Sequence, residues 1–197
     1  MRGFSLVELM ISMTVFLVAA MIITMGVQPA LREGRVNQAY NTTLTAMRIA
    51  RDTAIAQRQG YYVTLNNAVA PNTVTITQSS TGNIINTYWL PTDVTFQTLP
   101  TFPTSQTVFP MTPNGFGVGA TAIDFDQGVA GGVQNIIYFM PDGSAQDIAG
   151  NYNNGVVYVA RTGDNYSARA LTLFGATGRL RGWRMDTLGV TYYWRYE

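Results

Sequence analysis

The sequence predicts an α+β protein: one long N-terminal helix packed on an antiparallel β domain. Three observations carry this. No residue from Leu9 to Leu31 is charged, as in an apolar helix. The apolar residues after it recur at spacings of three and four. From Tyr61 the period changes to two, with turn signals between the runs.

The apolar run reads LMISMTVFLVAAMIITMGVQPAL, 23 residues. As a helix it extends about 34 Å at roughly 1.5 Å per residue, enough for a bilayer core of about 30 Å. Gly26 and Pro29 soften its far end. Arg2 precedes the run and Arg32 and Arg35 follow it, so flanking charge does not orient it. Beyond it, Val36, Tyr40, Thr43, Met47, Ala50 and Ala54 form an apolar stripe. Arg48 and Asp52 make an i,i+4 pair on the more polar face. These features predict one helix from Phe4 to Gln59, closed by Gly60.

The β domain follows in order. YYVTLN, TVTITQ, NIINTYWL and DVTFQTL are rich in Val, Ile, Thr and aromatics, as strands are. AIDFD, QNIIYFM, SAQDI, GVVYVAR, SARALTLF, GRLRGWRM and GVTYYWRY come next. Asn114-Gly115, Asp142-Gly143, Asn154-Gly155 and Gly163-Asp164 are the turn signals. Thr98 to Asn114 holds four of the eight prolines and is a loop or edge segment. The organisation is residues 4–31 and 32–60 as the apolar and amphipathic halves of the helix, and 61–197 as the β domain.

Composition narrows the chemistry. The chain has no Cys, which removes thiol catalysis and thiolate zinc sites. It has no His, the commonest general base and transition-metal ligand. All 12 basic residues are Arg, against 11 acids. Five Arg fall between positions 32 and 58, none between 59 and 160, and six from Arg161 onward. Whole-chain charge therefore says little about partners and leaves room for a local basic surface near the C-terminus.

Glu8 is the anomaly, an acid at the threshold of an apolar helix. Such a residue costs about 2.5–3.5 kcal/mol on insertion scales and usually has a partner. A secretory signal cut after Val18-Ala19-Ala20 would hold Glu8 inside its apolar segment, and the apolar run continues past Ala20. A plain membrane anchor leaves Glu8 unexplained.

GFSLVELM, residues 3–10, resembles the processing and methylation motif of type IV pilins and type II secretion pseudopilins. It has a Gly, then a Phe, and a Glu four residues after that Phe, leading straight into the apolar helix. The resemblance implies residues 1–3 as a leader, cleavage by a prepilin peptidase between Gly3 and Phe4, and N-methylation of Phe4. It implies an assembly role for Glu8, paired with the N-terminal amine of a neighbouring subunit in a helix bundle.

The other end extends the likeness. IIYFMPDGSAQDI and the runs after it resemble the C-terminal half of the GspH/FimT family of pseudopilins and minor pilins. That family carries a Phe-x-Pro-x-Gly hairpin, here Phe139, Pro141 and Gly143. It also carries a Gly-Arg-x-Arg segment, here Gly178, Arg179 and Arg181. DTLGVTYYWRYE extends beyond the family pattern. The resemblance implies a pilin-like fold and a single-pass inner-membrane protein with a periplasmic C-terminal domain. After assembly it would stand at the cell surface or the tip of a pseudopilus. The partners implied are prepilin peptidase, other pilin or pseudopilin subunits, the inner-membrane assembly platform and the membrane itself. The type IV pilus and the type II secretion system both stay open.

In FimT-like members the Gly-Arg-x-Arg segment is implicated in binding DNA. On a strand, Arg179 and Arg181 share a face about 7 Å apart, and Arg184 takes the other face unless Gly182 forms a bulge. The alternative is solvated edge charge or assembly contacts. Tyr192, Trp194 and Tyr196 alternate on one face, suited to stacking bases or, more simply, to packing.

Other features carry less. GFGVGA at 115–120 lacks the spacing of a dinucleotide loop. Asp124 and Asp126 share a face without calcium-loop spacing. Asp142-Gly143 is turn chemistry. No pair of carboxylates is arranged as acid and base, so the expectation is a structural protein, not an enzyme, with no cofactor and no metal.

Overall fold

The computed structural model describes residues 5–98, 113–116, 121–125, 135–188 and 191–197. It has one long N-terminal helix and two antiparallel sheets. The chain divides into two compact units between Gly34 and Arg35.

Helix α1 spans Leu6–Gln57. Its residues up to 34 expose apolar side chains on every side, from Leu6 and Phe16, each 76% exposed, to Ile23 and Leu31. The segment is long and apolar enough to cross a membrane. Two of its hydroxyls bond back to the helix's own carbonyls. Ser12 Oγ donates to the Glu8 carbonyl at 2.8 Å, and Thr14 Oγ1 donates to the Ile11 carbonyl at 2.8 Å.

From Arg35 onward the helix belongs to the β domain. Val36, Tyr40, Thr43, Met47, Ala50 and Ala54 are all buried, the expected stripe. The helix ends differently from expectation. Arg58, not Gly60, takes the left-handed conformation (φ 53°), and Gln59 N–H donates back to the Ala54 carbonyl at 3.2 Å. This is the six-to-one bond of a Schellman cap, two residues earlier than a Gly60 cap would give. Asp52 pairs with Arg51 (3.8 Å), where Arg48 was expected.

The strands are β1 (Tyr61–Asn66), β2 (Thr73–Gln78), β3 (Ile84–Trp89), β4 (Thr95–Phe96), β5 (Ile123–Asp124) and β6 (Ile136–Phe139). β7 (Ala145–Gln146), β8 (Gly155–Arg161), β9 (Asp164–Phe174), β10 (Arg179–Leu188) and β11 (Thr191–Tyr196) follow. One sheet runs β3-β2-β1-β6-β7. The other runs β11-β10-β9-β8-β4, with β5 also on β8. Tyr61, Val63 and Leu65 of β1, Ile137 and Phe139 of β6, Val157 and Val159 of β8, and Leu171 and Leu173 of β9 meet the helix stripe in the main core.

The second sheet is buried on both faces. Val156, Tyr158, Ala168, Ala170, Trp183, Met185 and Trp194 form a second apolar cluster on the face away from the helix. That is why β8 reads as a continuous apolar run, not as an alternation. The Trp183 indole N–H donates to Thr172 Oγ1 at 2.9 Å, which satisfies a polar atom inside this cluster.

Three of the four turn signals fall in turns. Gly143 (φ 83°) closes the β6–β7 hairpin, with its N–H on the Met140 carbonyl at 2.9 Å. Thr162 and Gly163 (φ 77°) link β8 to β9. Pro113–Phe116 makes one turn of 3-10 helix. Asn154-Gly155 is no turn. Gly155 opens β8, and the Phe125 ring together with the Asp124 carbonyl fills the space a side chain would need. Among the expectations, Asp126, residues 117–120 and most of the 98–114 segment lie outside the described residues.

Candidate functional site

At the N-terminal end, Glu8 sits in the first turn of α1, exposed among Leu6, Val7, Leu9 and Met10. A carboxylate there is favoured by the helix dipole, which puts partial positive charge on the first-turn amides. Gly3 and Phe4 lie outside the described residues.

At the other end, β10 sets the arginines. Its register against β9 runs unbroken from Arg179 opposite Phe174 to Arg184 opposite Arg169, so Gly182 makes no bulge. Arg179 and Arg181 are exposed on one face, and Arg184 is half-buried on the other. Gly182 has a different use. The Tyr40 hydroxyl occupies the place its Cβ would take, so only glycine lets the helix lie this close. Burial first, and then the Glu197 carboxylate, hold the Tyr40 hydroxyl above the ordinary tyrosine pKa, so it stays neutral. Glu197 Oε1 stands 3.6 Å from the Nε of Arg169, a buried residue.

The aromatics of β11 share the face of Arg179 and Arg181. Trp194 is buried against Tyr158, with ring centroids 5.7 Å apart. Tyr196 stacks on Trp183 at 3.9 Å and lies 5.6 Å beneath the Arg181 guanidinium. Trp194 is therefore packed, and Tyr196 is the ring that stays accessible.

Arg51 was read from sequence only as one of a helical group. In the fold its Nε donates to the carbonyls of Gly143 and Thr177, both at 3.2 Å, and its Nη2 to Thr177 at 3.0 Å. Gly143 and Gly178, the glycines of the two C-terminal motifs, close around this side chain. A Cβ on Gly178 would lie 2.9 Å from Arg51 Nε, and one on Gly143 3.1 Å from Ile55 Cδ1. The two motifs are thus one structural unit. Each supplies a tight turn, and Arg51 ties both turns to the helix.

The same packing gathers charge. Arg48 and Arg51 from the helix and Arg179 and Arg181 from β10 line a groove of about 1060 Å³, together with Asp52, Phe174 and Leu180. Arg48, Arg179, Leu180 and Arg181 also line a neighbouring cavity of about 510 Å³ that reaches Tyr40, Gly182 and Tyr196. Arginines 131 positions apart in sequence thus face one space. The clue in the sequence was the block of Arg between positions 32 and 58, which leaves 48 and 51 on one helical side.

Asp124 is buried in β5, and Tyr158 is raised above its ordinary pKa by burial first and by Asp124 second. No group of three or more His, Cys, Asp or Glu suited to a metal occurs among the described residues.

The model of the prokaryotic N-terminal methylation motif matches residues 1–24. The motif marks a type IV pilin-like precursor, a substrate of prepilin peptidase that assembles with other pilins. No curated protein and no solved structure matches the chain.

Proposed function

We propose that this chain is a structural subunit, a minor pilin or pseudopilin of the GspH/FimT type, not an enzyme. Prepilin peptidase cuts between Gly3 and Phe4, and the new terminus at Phe4 is N-methylated. Residues 4–31 hold the subunit in the inner membrane with residues 61–197 in the periplasm until it enters a type IV pilus or type II secretion pseudopilus, at or near the tip. The inner-membrane assembly platform is its partner in that step.

The observation that carries this is the methylation motif running into a helix whose apolar side chains are exposed all round. Such a helix needs lipid or other helices around it. Glu8 pays for its place in lipid only if a neighbour's amine meets it in the bundle. Co-expression with a prepilin peptidase, followed by mass spectrometry, should give a chain beginning at N-methylated Phe4. Glu8→Ala should still be cut but should drop out of filaments. An uncut chain, or a Glu8→Ala chain that assembles normally, would overturn the proposal.

A second reading, DNA contact, is supported by the exposed pair Arg179 and Arg181 with Arg48 nearby. Arg184 faces away from that pair. Two or three phosphate contacts give weak binding whose logarithm falls with log salt at about −0.9 per contact. Salt-dependent gel retardation, lost in Arg179→Gln/Arg181→Gln, tests it.

A further inference from the structure

We propose that β3 takes an extended, uncharged segment of a different protein chain as an added strand. β3 stands at one end of its sheet, and among the described residues it pairs only with β2. Just past the strand, Leu90 N–H donates to the Asn72 carbonyl at 2.9 Å. Counting back by strand alternation, Tyr88 and Asn86 also face β2, and the N–H and C=O of Thr87 and Trp89 point away from it. Thr87 N–H accordingly donates at 2.8 Å to Oδ1 of its own neighbour Asn86, an exposed side chain. A local amide oxygen thus stands in for the carbonyl that a further strand would bring, and it can be exchanged for one.

The chemistry of the edge selects the guest. Sheet edges are ordinarily blunted by charge, proline or a bulge. β3 carries neither charge nor proline, and its register shift against β2 falls between Ile84 and Asn86, ahead of Thr87. The neutrality is regional, since no residue from 59 to 92 is charged. A charged guest residue laid here gives up hydration and meets no counter-charge, so the edge favours a neutral chain. Trp89, opposite Thr73, lies on the outer face and is 66% exposed, while Tyr88 turns inward, half-buried against the main core. A guest with β-branched or aromatic residues at alternate positions covers Trp89 on one side and the rim of the core at Tyr88 on the other. Two copies of this chain joined through β3 would be related by a two-fold axis normal to the sheet. That axis sets residues 35–57 of their helices antiparallel, which subunits held by the same end in one membrane do not permit. This exclusion of a second copy rests on the membrane reading above, whereas the open edge does not.

The test selects a random dodecapeptide library against the full chain in detergent micelles, after depletion on empty micelles. Enriched peptides should share an uncharged run with β-branched or aromatic residues at alternate positions. They should bind about tenfold or more weakly to Thr87→Pro, which removes the outward N–H and spares the bonds to β2, and to Trp89→Lys, which sets a charge on the seam. On binding, amide exchange in the unaltered chain should slow at least about tenfold at Thr87 and Trp89 and stay unchanged at Tyr88, whose N–H already faces β2. Circular dichroism checks that both variants stay folded, and the exchange pattern decides independently of them. It also holds whether or not the chain is cut after Gly3, so it separates this proposal from the reading of the N-terminal motif. No enrichment, enriched runs that carry charge, or unchanged exchange at Thr87 would each overturn the proposal. So would a dimer of the chain alone in sedimentation that Thr87→Pro dissolves, which would assign the edge to a second copy.

Discussion

Arg51→Met removes the tie between the helix and the two glycine turns while keeping the apolar stem. Three contacts are lost, but the single Nε hydrogen is shared between the Gly143 and Thr177 carbonyls, so they count as two bonds. Hydrogen bonds to a charged group contribute about 1.5–3 kcal/mol each. The side chain is one-third exposed (33%), and water in the groove can reach the two carbonyls once the guanidinium is gone. The lower end of the range applies, about 3 kcal/mol for the two bonds, and the partial exposure discounts this to a loss of about 2–3 kcal/mol. At about 2–4 °C per kcal/mol for a domain of this size, the midpoint should fall by at least about 4 °C. Trp183 and Trp194 fluorescence in thermal unfolding of the full chain in detergent reads the domain. Arg51→Lys should recover only part of the loss, because an ammonium cannot present the planar fork that spans both carbonyls. A change below about 0.5 kcal/mol in Arg51→Met would refute the idea that this side chain holds the turns.

Other outcomes follow from single contacts. Gly182→Val should cost about 2–3 kcal/mol by driving the Tyr40 ring from β10, and Tyr40→Ala should recover part of that loss in a double-mutant cycle. Thr172→Val should cost about 1–3 kcal/mol by leaving the Trp183 indole N–H buried without its acceptor, readable by chemical denaturation. Asp142 titrates below the ordinary aspartate value, first because the Ser144 hydroxyl donates to it and then because the Ser144 amide does. Its contribution is therefore complete above that ordinary value and disappears as pH falls through the lowered one. Ser144→Ala should raise the Asp142 pKa by NMR titration and narrow that acid window.

Much of the fold was legible because one-dimensional periodicity fixes which residues are buried together. The helix stripe from Val36 to Ala54 and the extents of β1 and β2 followed from it, while β8 was legible as a short continuous apolar run. What escaped depended on contacts between distant segments. Nothing local marks Gly182 as the seat of the Tyr40 hydroxyl or Gly155 as that of the Phe125 ring, so Gly182 stayed open between regular pleating and a bulge, and Asn154-Gly155 was expected as a turn. Arg58 took the helix cap because the geometry needs its left-handed residue right after Gln57, and Gly60 lies two positions too late. At the site, the facing of Arg179 and Arg181 was readable from strand alternation. Their meeting with Arg48 and Arg51 was not, since it depends on where the β9–β10 turn lands on the helix.

Every buried residue of the main core lies at or after Val36. The folding equilibrium of the domain is therefore written without the apolar half of the helix. An organisation of this kind lets the apolar segment change its surroundings while the contacts of the main core stay as they are.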